Sequence, residues 1–162
     1  MIEAALKISN NSVPLSVIQK ALDIGKDMLQ KPVDVLPEVV ATLEALQGKY
    51  RLIVCTKGDL LDQERKLQKS GLSKYFHHTE IVSNKSEAQF ETTLKHLDIK
   101  EDEFMMIGNS MKSDVLPVLN IGAWGVHVPF HTTWEHETVK HKVEGERFRA
   151  IERIDEVLDF LL

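Results

Sequence analysis

FMMIGNSMKSDV, residues 104–115, opens as an apolar run, Phe104 to Ile107, and stops abruptly at Gly108. Small and polar residues, Lys112 and Asp114 follow within a few positions. A run that ends this way reads as a buried strand emptying into a loop that holds something charged. Upstream, a helix over 37–47 (PEVVATLEALQ) leads into YRLIVC, residues 50–55, a short apolar run of strand-forming residues. A helix over 59–70 follows, closed by Gly71, then a short strand at 80–82 and a helix at 86–97. Downstream come a helix at about 113–120, ending near Gly122, and a strand at 125–128. Apolar strands alternating with amphipathic helices predict an α/β doubly wound fold, a mainly parallel sheet with helices on both faces. The tail FRAIERIDEVLDFLL, residues 148–162, reads as a small edge strand or turn and a closing helix.

Ahead of this alternation, residues 14–30 place Leu15, Ile18, Leu22 and Leu29 on one helical face. Val17, Ala21, Ile24 and Met28 form an adjoining stripe, so the apolar surface is wide and calls for cover from two sides. Ser12 is the expected cap, with Pro14 in the first turn.

Composition sets the outer bounds. With 162 residues, 43% apolar and 28% charged, the chain can bury a core of its own and reads as globular. Its 20 basic against 25 acidic residues, a net charge of -5, and the lack of a Lys/Arg cluster argue against a nucleic-acid surface. One cysteine, Cys55, excludes an internal disulfide and fits a reducing compartment. No apolar stretch approaches the ~18 residues of a membrane span. The amino terminus lacks the pattern of a secretory signal, so a cytoplasmic location is expected.

In parallel α/β sheets, ligands sit outside the carboxyl ends of the strands. Those ends carry Thr56, Lys57 and Gly58; Ser83, Asn84 and Lys85; and Gly108, Asn109, Ser110 and Asp114. A hydroxyl, a lysine and a carboxylate on one edge are what a phosphoryl group with a divalent cation requires. Each has a plainer reading alone. Thr56 could satisfy local backbone, Lys85 could be a solvated surface lysine, and Asp114 could favour a helix terminus. Their shared edge and order carry the joint reading.

These segments also resemble a known family. LIVCTKG (52–58) looks like the second motif of the haloacid dehalogenase (HAD) superfamily, an apolar strand ending in Thr or Ser, and GNSMKSD (108–114) looks like its fourth. Between them DQERKLQKSGLSKYF (62–76) resembles the family's Gln-x-x-Lys-Leu helix, Gly-Leu turn and Tyr-Phe. NKSEAQF (84–90) resembles the segment with the third-motif lysine. The similarity runs from about Pro37 to Pro129.

The resemblance implies a HAD-like, Rossmann-like fold and a Mg2+-dependent phosphohydrolase that passes through an aspartyl-phosphate. On it, Thr56 would hydrogen-bond a phosphoryl oxygen, with Lys57 and Gly58 beside it. Lys85 would neutralise charge and orient the nucleophile. Asp114 would anchor the cation, and Asn109 stands where many members have an acid, removing one charge from the metal shell. Residues 1–36 resemble part of the helical cap this superfamily often inserts, leaving 37–162 as the core domain. A small phosphorylated metabolite, such as a sugar phosphate or a nucleotide, is the implied substrate class, with dehalogenation a further reaction of the family.

The family's first motif, an apolar strand ending in Asp-x-Asp, is not found; no Asp-x-Asp occurs in the 162 residues. The acidic run Glu101 to Glu103 precedes a strand instead of following one. Either the chain is an amino-terminal truncation or catalysis has been lost, and truncation is the expectation, because Thr56, Lys85 and Asp114 all remain. The missing strand would be central in the sheet, between the strands ending at Thr56 and Ile107. Unpaired buried amides are costly, so direct pairing of those two strands, a shifted sheet, or pairing between chains is expected.

Cys55, inside an apolar strand, reads as a buried small side chain, and Trp124 and Trp134 as packing residues. His127, His131, His136 and His141 match no compact zinc spacing. His131, Thr132, Thr133 and Trp134 follow the last parallel strand and read as a loop near the substrate mouth. The second functional class is a noncatalytic module that binds an anion or cation at the Thr56, Lys85 and Asp114 edge, or a partner through exposed strand edges. A homo-oligomer through those edges belongs to the same expectation.

Overall fold

The computed structural model describes residues 1–130, 139 and 142–162. It divides into two compact units, Met1–Asp34 and Val35–Leu162. The first unit is a helix pair, α1 (Ile2–Ile8) and α2 (Leu15–Gln30). The wide apolar stripe of α2 buries no residue; Leu15, Val17, Leu22, Ile24, Met28 and Leu29 are all exposed. Ser12 does not cap α2. Its hydroxyl donates to the Ser9 carbonyl, and Pro14 stands at the cap position in an extended conformation.

In the second unit, α3 (Val39–Leu46), β1 (Ile53–Lys57), α4 (Leu60–Ser70), β2 (His78–Val82), α5 (Glu87–Leu97), β3 (Met105–Gly108), α6 (Leu116–Asn120), β4 (Trp124–His127), β5 (Phe148–Ala150) and α7 (Leu158–Leu161) follow in order. The helix boundaries have local causes. Asp59 caps α4 by accepting from the Asp62 amide at 3.0 Å, and Ser86 caps α5 by accepting from the Gln89 amide at 3.3 Å. Gly71, at φ 71°, ends α4 in the left-handed conformation that glycine adopts without a Cβ penalty.

β1 begins at Ile53, later than the apolar run suggests, because the Leu52 amide donates to the imidazole Nδ1 of His77. The helix expected at 113–120 starts as a π-helical turn, Met111–Val115. There the Asp114 and Val115 amides both donate to the Ser110 carbonyl, at 2.8 and 3.2 Å.

Among the described residues all strand pairs are parallel, as the alternation predicts. They form two sheets, β1-β2 and β3-β4-β5. The packing nonetheless marks a common plane. Met106 of β3 belongs to a core cluster with Phe90, Val118 and Ala123, and Cys55 of β1 packs against the same cluster. Met105 and Ile107, on the opposite face of β3, pack against Leu46, Val126 and Val157, and so does Leu52 at the start of β1. α5 and α6 therefore cover one face of both sheets, while α3 and α7 lie on the other.

β1 and β3 face each other across this plane and do not pair, so of the three expected outcomes the direct pairing of the strands ending at Thr56 and Ile107 is the one not found. Between them is a cavity of about 730 Å³ lined by Val54, Cys55, Phe90, Met105 and Ile107, among others. The covering helices explain the spacing. Phe90 and Leu46 fill the layers above and below, and closing the gap would pull each sheet half from its cluster.

Candidate active site

The carboxyl ends of the strands assemble the polar residues picked out from sequence. Lys85, three residues past β2, sends its Nζ to the Oδ1 of Asp114, past β3, at 2.6 Å. Both side chains are largely out of solvent, 11% and 6% exposed. Oδ2 of Asp114 accepts from the Ser110 amide at 2.9 Å. Ser110 is itself buried, and its hydroxyl accepts from the Ser113 amide at 2.9 Å. The π-helical turn thus winds around the Asp114 carboxylate. That packing requires Gly108, where an added Cβ would lie 2.5 Å from the Cβ and Cγ of Asp114.

Thr56 lies at the same edge, paired in register with Ile81, and its hydroxyl donates to Oε1 of Gln63 at 2.9 Å. Gln63 comes from the first turns of α4 and crosses Gly58, whose absent Cβ would approach the Gln63 amide nitrogen at 2.9 Å. The Gly58 amide continues the ladder to the Val82 carbonyl at 3.2 Å. Lys57, Gly58 and Asn109 are exposed at the rim. The Asn109 carbonyl lies 3.1 Å from Nε2 of His127, at the end of β4.

Gln63 and His127 carry no signal of these roles in sequence. Gln63 faces the edge only because α4 turns back over Gly58, and His127 because β4 pairs with β3. His131, Thr132, Thr133, Trp134, His136 and His141 lie outside the described residues. Trp124 stacks beside Arg147, and its indole donates to the Asp102 carbonyl at 3.2 Å, a packing role. Cys55 is partly buried, and burial pushes its thiol above the ordinary value of 9.0; Lys85 opposes this, while Asp114 and Glu80 reinforce it.

Chemically, the edge presents a hydroxyl, an ammonium and a buried carboxylate. Among the described residues no three His, Cys, Asp or Glu side chains cluster as a metal site. Magnesium commonly takes one or two carboxylates and fills its remaining positions with water and phosphate oxygens. Asp114 fits the first of these roles, with its carboxylate shared with Lys85.

A family model described as haloacid dehalogenase-like hydrolase matches residues 15–122. A solved haloacid dehalogenase-like family hydrolase from Xanthomonas campestris is 33% identical, with a TM-score of 0.86 over 99% of this chain and 69% of that one. An HAD phosphatase from Thermococcus onnurineus matches at 23% identity and a TM-score of 0.64, over 79% of this chain and 58% of its own. A putative HAD-hydrolase from Bacillus subtilis, solved bound to magnesium, matches at 16% identity and a TM-score of 0.64, over 78% and 55%. No curated protein matches this chain. The fold is α/β, with parallel sheets of Rossmann-like architecture. The chain belongs to the haloacid dehalogenase-like hydrolases.

Proposed function

We propose that this chain provides the phosphate-binding and charge-neutralising part of a Mg2+-dependent phosphohydrolase acting on small phosphorylated metabolites. The observation that carries the reading is the buried Lys85–Asp114 pair at the strand edge that also bears Thr56. A buried ammonium and carboxylate are costly to desolvate, and for a structural purpose alone apolar residues would serve as well.

In this reading, the Thr56 hydroxyl turns from Gln63 to a phosphoryl oxygen, with the exposed loop at Lys57 and Gly58 along the same group. The Lys85 ammonium, already held by Asp114, offsets the negative charge that builds on the phosphoryl oxygens in the transition state. A bound magnesium ion would supply further charge neutralisation, with Asp114 as its carboxylate ligand and Asn109 beside it. The attacking carboxylate is not assigned to any of the 162 residues, which hold no Asp-x-Asp. Its oxygen bonds to phosphorus as the P–O bond to the leaving group breaks, and the leaving oxygen takes up a proton. Water then attacks the aspartyl-phosphate, releasing inorganic phosphate and restoring the carboxylate.

The phosphatase from Thermococcus and the magnesium-bound Bacillus protein support this reading only as proteins of the same fold. The test is magnesium-dependent release of phosphate from an aryl phosphate, comparing the 162-residue chain with the product of the longest upstream reading frame. The expected result is turnover by the long form, loss of turnover in its Lys85→Met variant, and none by the short chain. Binding of magnesium by both forms without turnover by either would favour the second class, a noncatalytic binding module.

A further inference from the structure

We propose that Gln63 is a positioning residue whose side-chain amide turns over when the polar edge takes up an anion. By passing from acceptor to donor it directs the proton of Thr56 at a phosphoryl oxygen. The inference deepens the phosphate-binding reading above and rests on it.

The reason lies in counting protons. A threonine hydroxyl carries one proton and two lone pairs. That proton is already committed, since the hydroxyl donates to Oε1 of Gln63 at 2.9 Å. In this state Thr56 offers an arriving anion lone pairs alone, and acceptors that face each other repel. Donation to a phosphoryl oxygen requires the hydroxyl to leave Oε1, and a half-buried acceptor without its donor is costly. A carboxylate at position 63 could only accept and would hold the proton in place. A carboxamide differs because it carries a donor beside the acceptor. Half a turn about its last bond exchanges Nε2 for Oε1. Nε2 then donates to the Thr56 oxygen while the hydroxyl donates to the anion, and each bond polarises the next.

The surroundings suit such a turn. The backbone of Gln63 is fixed, its amide donating to the Asp59 carbonyl at 3.0 Å in the first turn of α4. Nε2 gives up little by moving, because its bond to Oδ2 of Asp62 is long, 3.4 Å. Asp62 does not depend on that bond. Arg65 holds its Oδ1, and the Lys66 ammonium lies 2.7 Å from Oδ2, which places positive charge beside the position the turned Oε1 would take. Room for the amide comes from Gly58. An added Cβ there would lie 2.9 Å from Nε2 and 3.2 Å from both Cδ and Cγ of Gln63, pressing on the group that has to rotate.

The experiment is 15N NMR on the 162-residue chain titrated with sodium sulfate, a tetrahedral dianion that holds no proton at neutral pH. Backbone amides of Thr56, Lys57 and Gly58 report binding. The side-chain amide of Gln63, assigned by its loss in Gln63→Met, reports the turn. Both sets of signals should shift with one Kd, and one Nε2 proton should move downfield as it gains an acceptor. In Thr56→Val, which offers no acceptor, the side-chain signal should stay where it is. Affinities supply a second, independent readout. Gln63→Glu, which only accepts, should weaken sulfate binding about tenfold more with Thr56 present than in the Thr56→Val background, where its charge alone acts. Gln63→Met neither accepts nor donates and should cost about threefold, less than Gln63→Glu, whereas a purely structural role would make the two losses alike. No saturable shift at residues 56–58 of the wild type would overturn the phosphate-binding reading together with this inference. Sulfate binding that Lys85→Met weakens, combined with an unmoved Gln63 side-chain signal or with equal losses from Gln63→Glu in both backgrounds, overturns the inference and leaves that reading standing.

Discussion

The Asp114 side chain fills the space that a Cβ at Gly108 would take, and that close approach sets the fine geometry of the polar edge. Any side chain at 108 must displace the Asp114 carboxylate, with the Lys85 and Ser110 bonds it makes. Gly108→Ala is expected to lower stability by about 1–3 kcal/mol, the usual cost of overpacking, seen as an earlier urea midpoint with an unchanged slope. The ion pair itself is tested by a double-mutant cycle. Lys85→Met or Asp114→Asn alone leaves one buried group without its partner and should cost about 3 kcal/mol, whereas the double variant should cost clearly less than the two singles summed. Additive losses would show that the pair is not coupled. Cys55 supplies a pH dependence. Its thiol is raised above 9.0, chiefly by burial, so the folded protein holds this proton to higher pH than the unfolded chain. The stability linked to it is present below the ordinary value and falls as pH rises through the raised one. The gap between the denaturation midpoints of wild type and Cys55→Ala, followed from neutral to alkaline pH, should stay constant until that upper range and change only there.

Among the elements, α4 does most to shape the site. Its capping residue Asp59 sits one position past Gly58, and Gln63, which holds the Thr56 hydroxyl, lies in the turn that follows. Asp59→Ala removes the bond to the Asp62 amide and is expected to cost about 1 kcal/mol, read from thermal or urea melts. The helix start should then fray, exposing the Thr56–Gln63 bond to water. β1 is the complementary case. Every residue of this five-residue strand is partly buried or exposed, although its sequence is that of an interior strand. A strand paired on one side only opens readily, so its amides should exchange faster than those of β4, which is paired on both sides.

At the scale of the whole molecule, two core clusters reach both sheets, and the one on the α5 face is the closer link between β1 and β3. Phe90, Met106, Val118 and Ala123 pack together with Cys55 against them, so α5 spans the cleft from β1 to β3. Phe90→Ala should therefore cost about 3–5 kcal/mol and separate the unfolding of the two sheet halves. Calorimetry would show this as a van't Hoff enthalpy below the calorimetric one. No helix among the described residues is long and apolar enough to cross a membrane.

Local signals were enough for the alternation of strands and helices, the stop at Gly71 and the gathering of Thr56, Lys85 and Asp114 at one edge. Apolar periodicity, the helix-ending glycine and the rule that parallel strands share their ends are short-range or topological, whereas the cap expected at Ser12 did not form. Sequence reasoning stopped where the outcome depended on which surfaces meet. It could not find Gln63 behind Thr56, or the π-helical turn that folds Ser110 around Asp114, because both arise from contacts across a loop. Since unpaired amides are costly, it expected direct pairing of β1 with β3, a shifted sheet or pairing between chains, and the first of these did not form. Tertiary structure decided otherwise: side chains from α3 and α5 fill the layers on either side of the gap, and the packing they would lose outweighs the few backbone bonds that closure would gain.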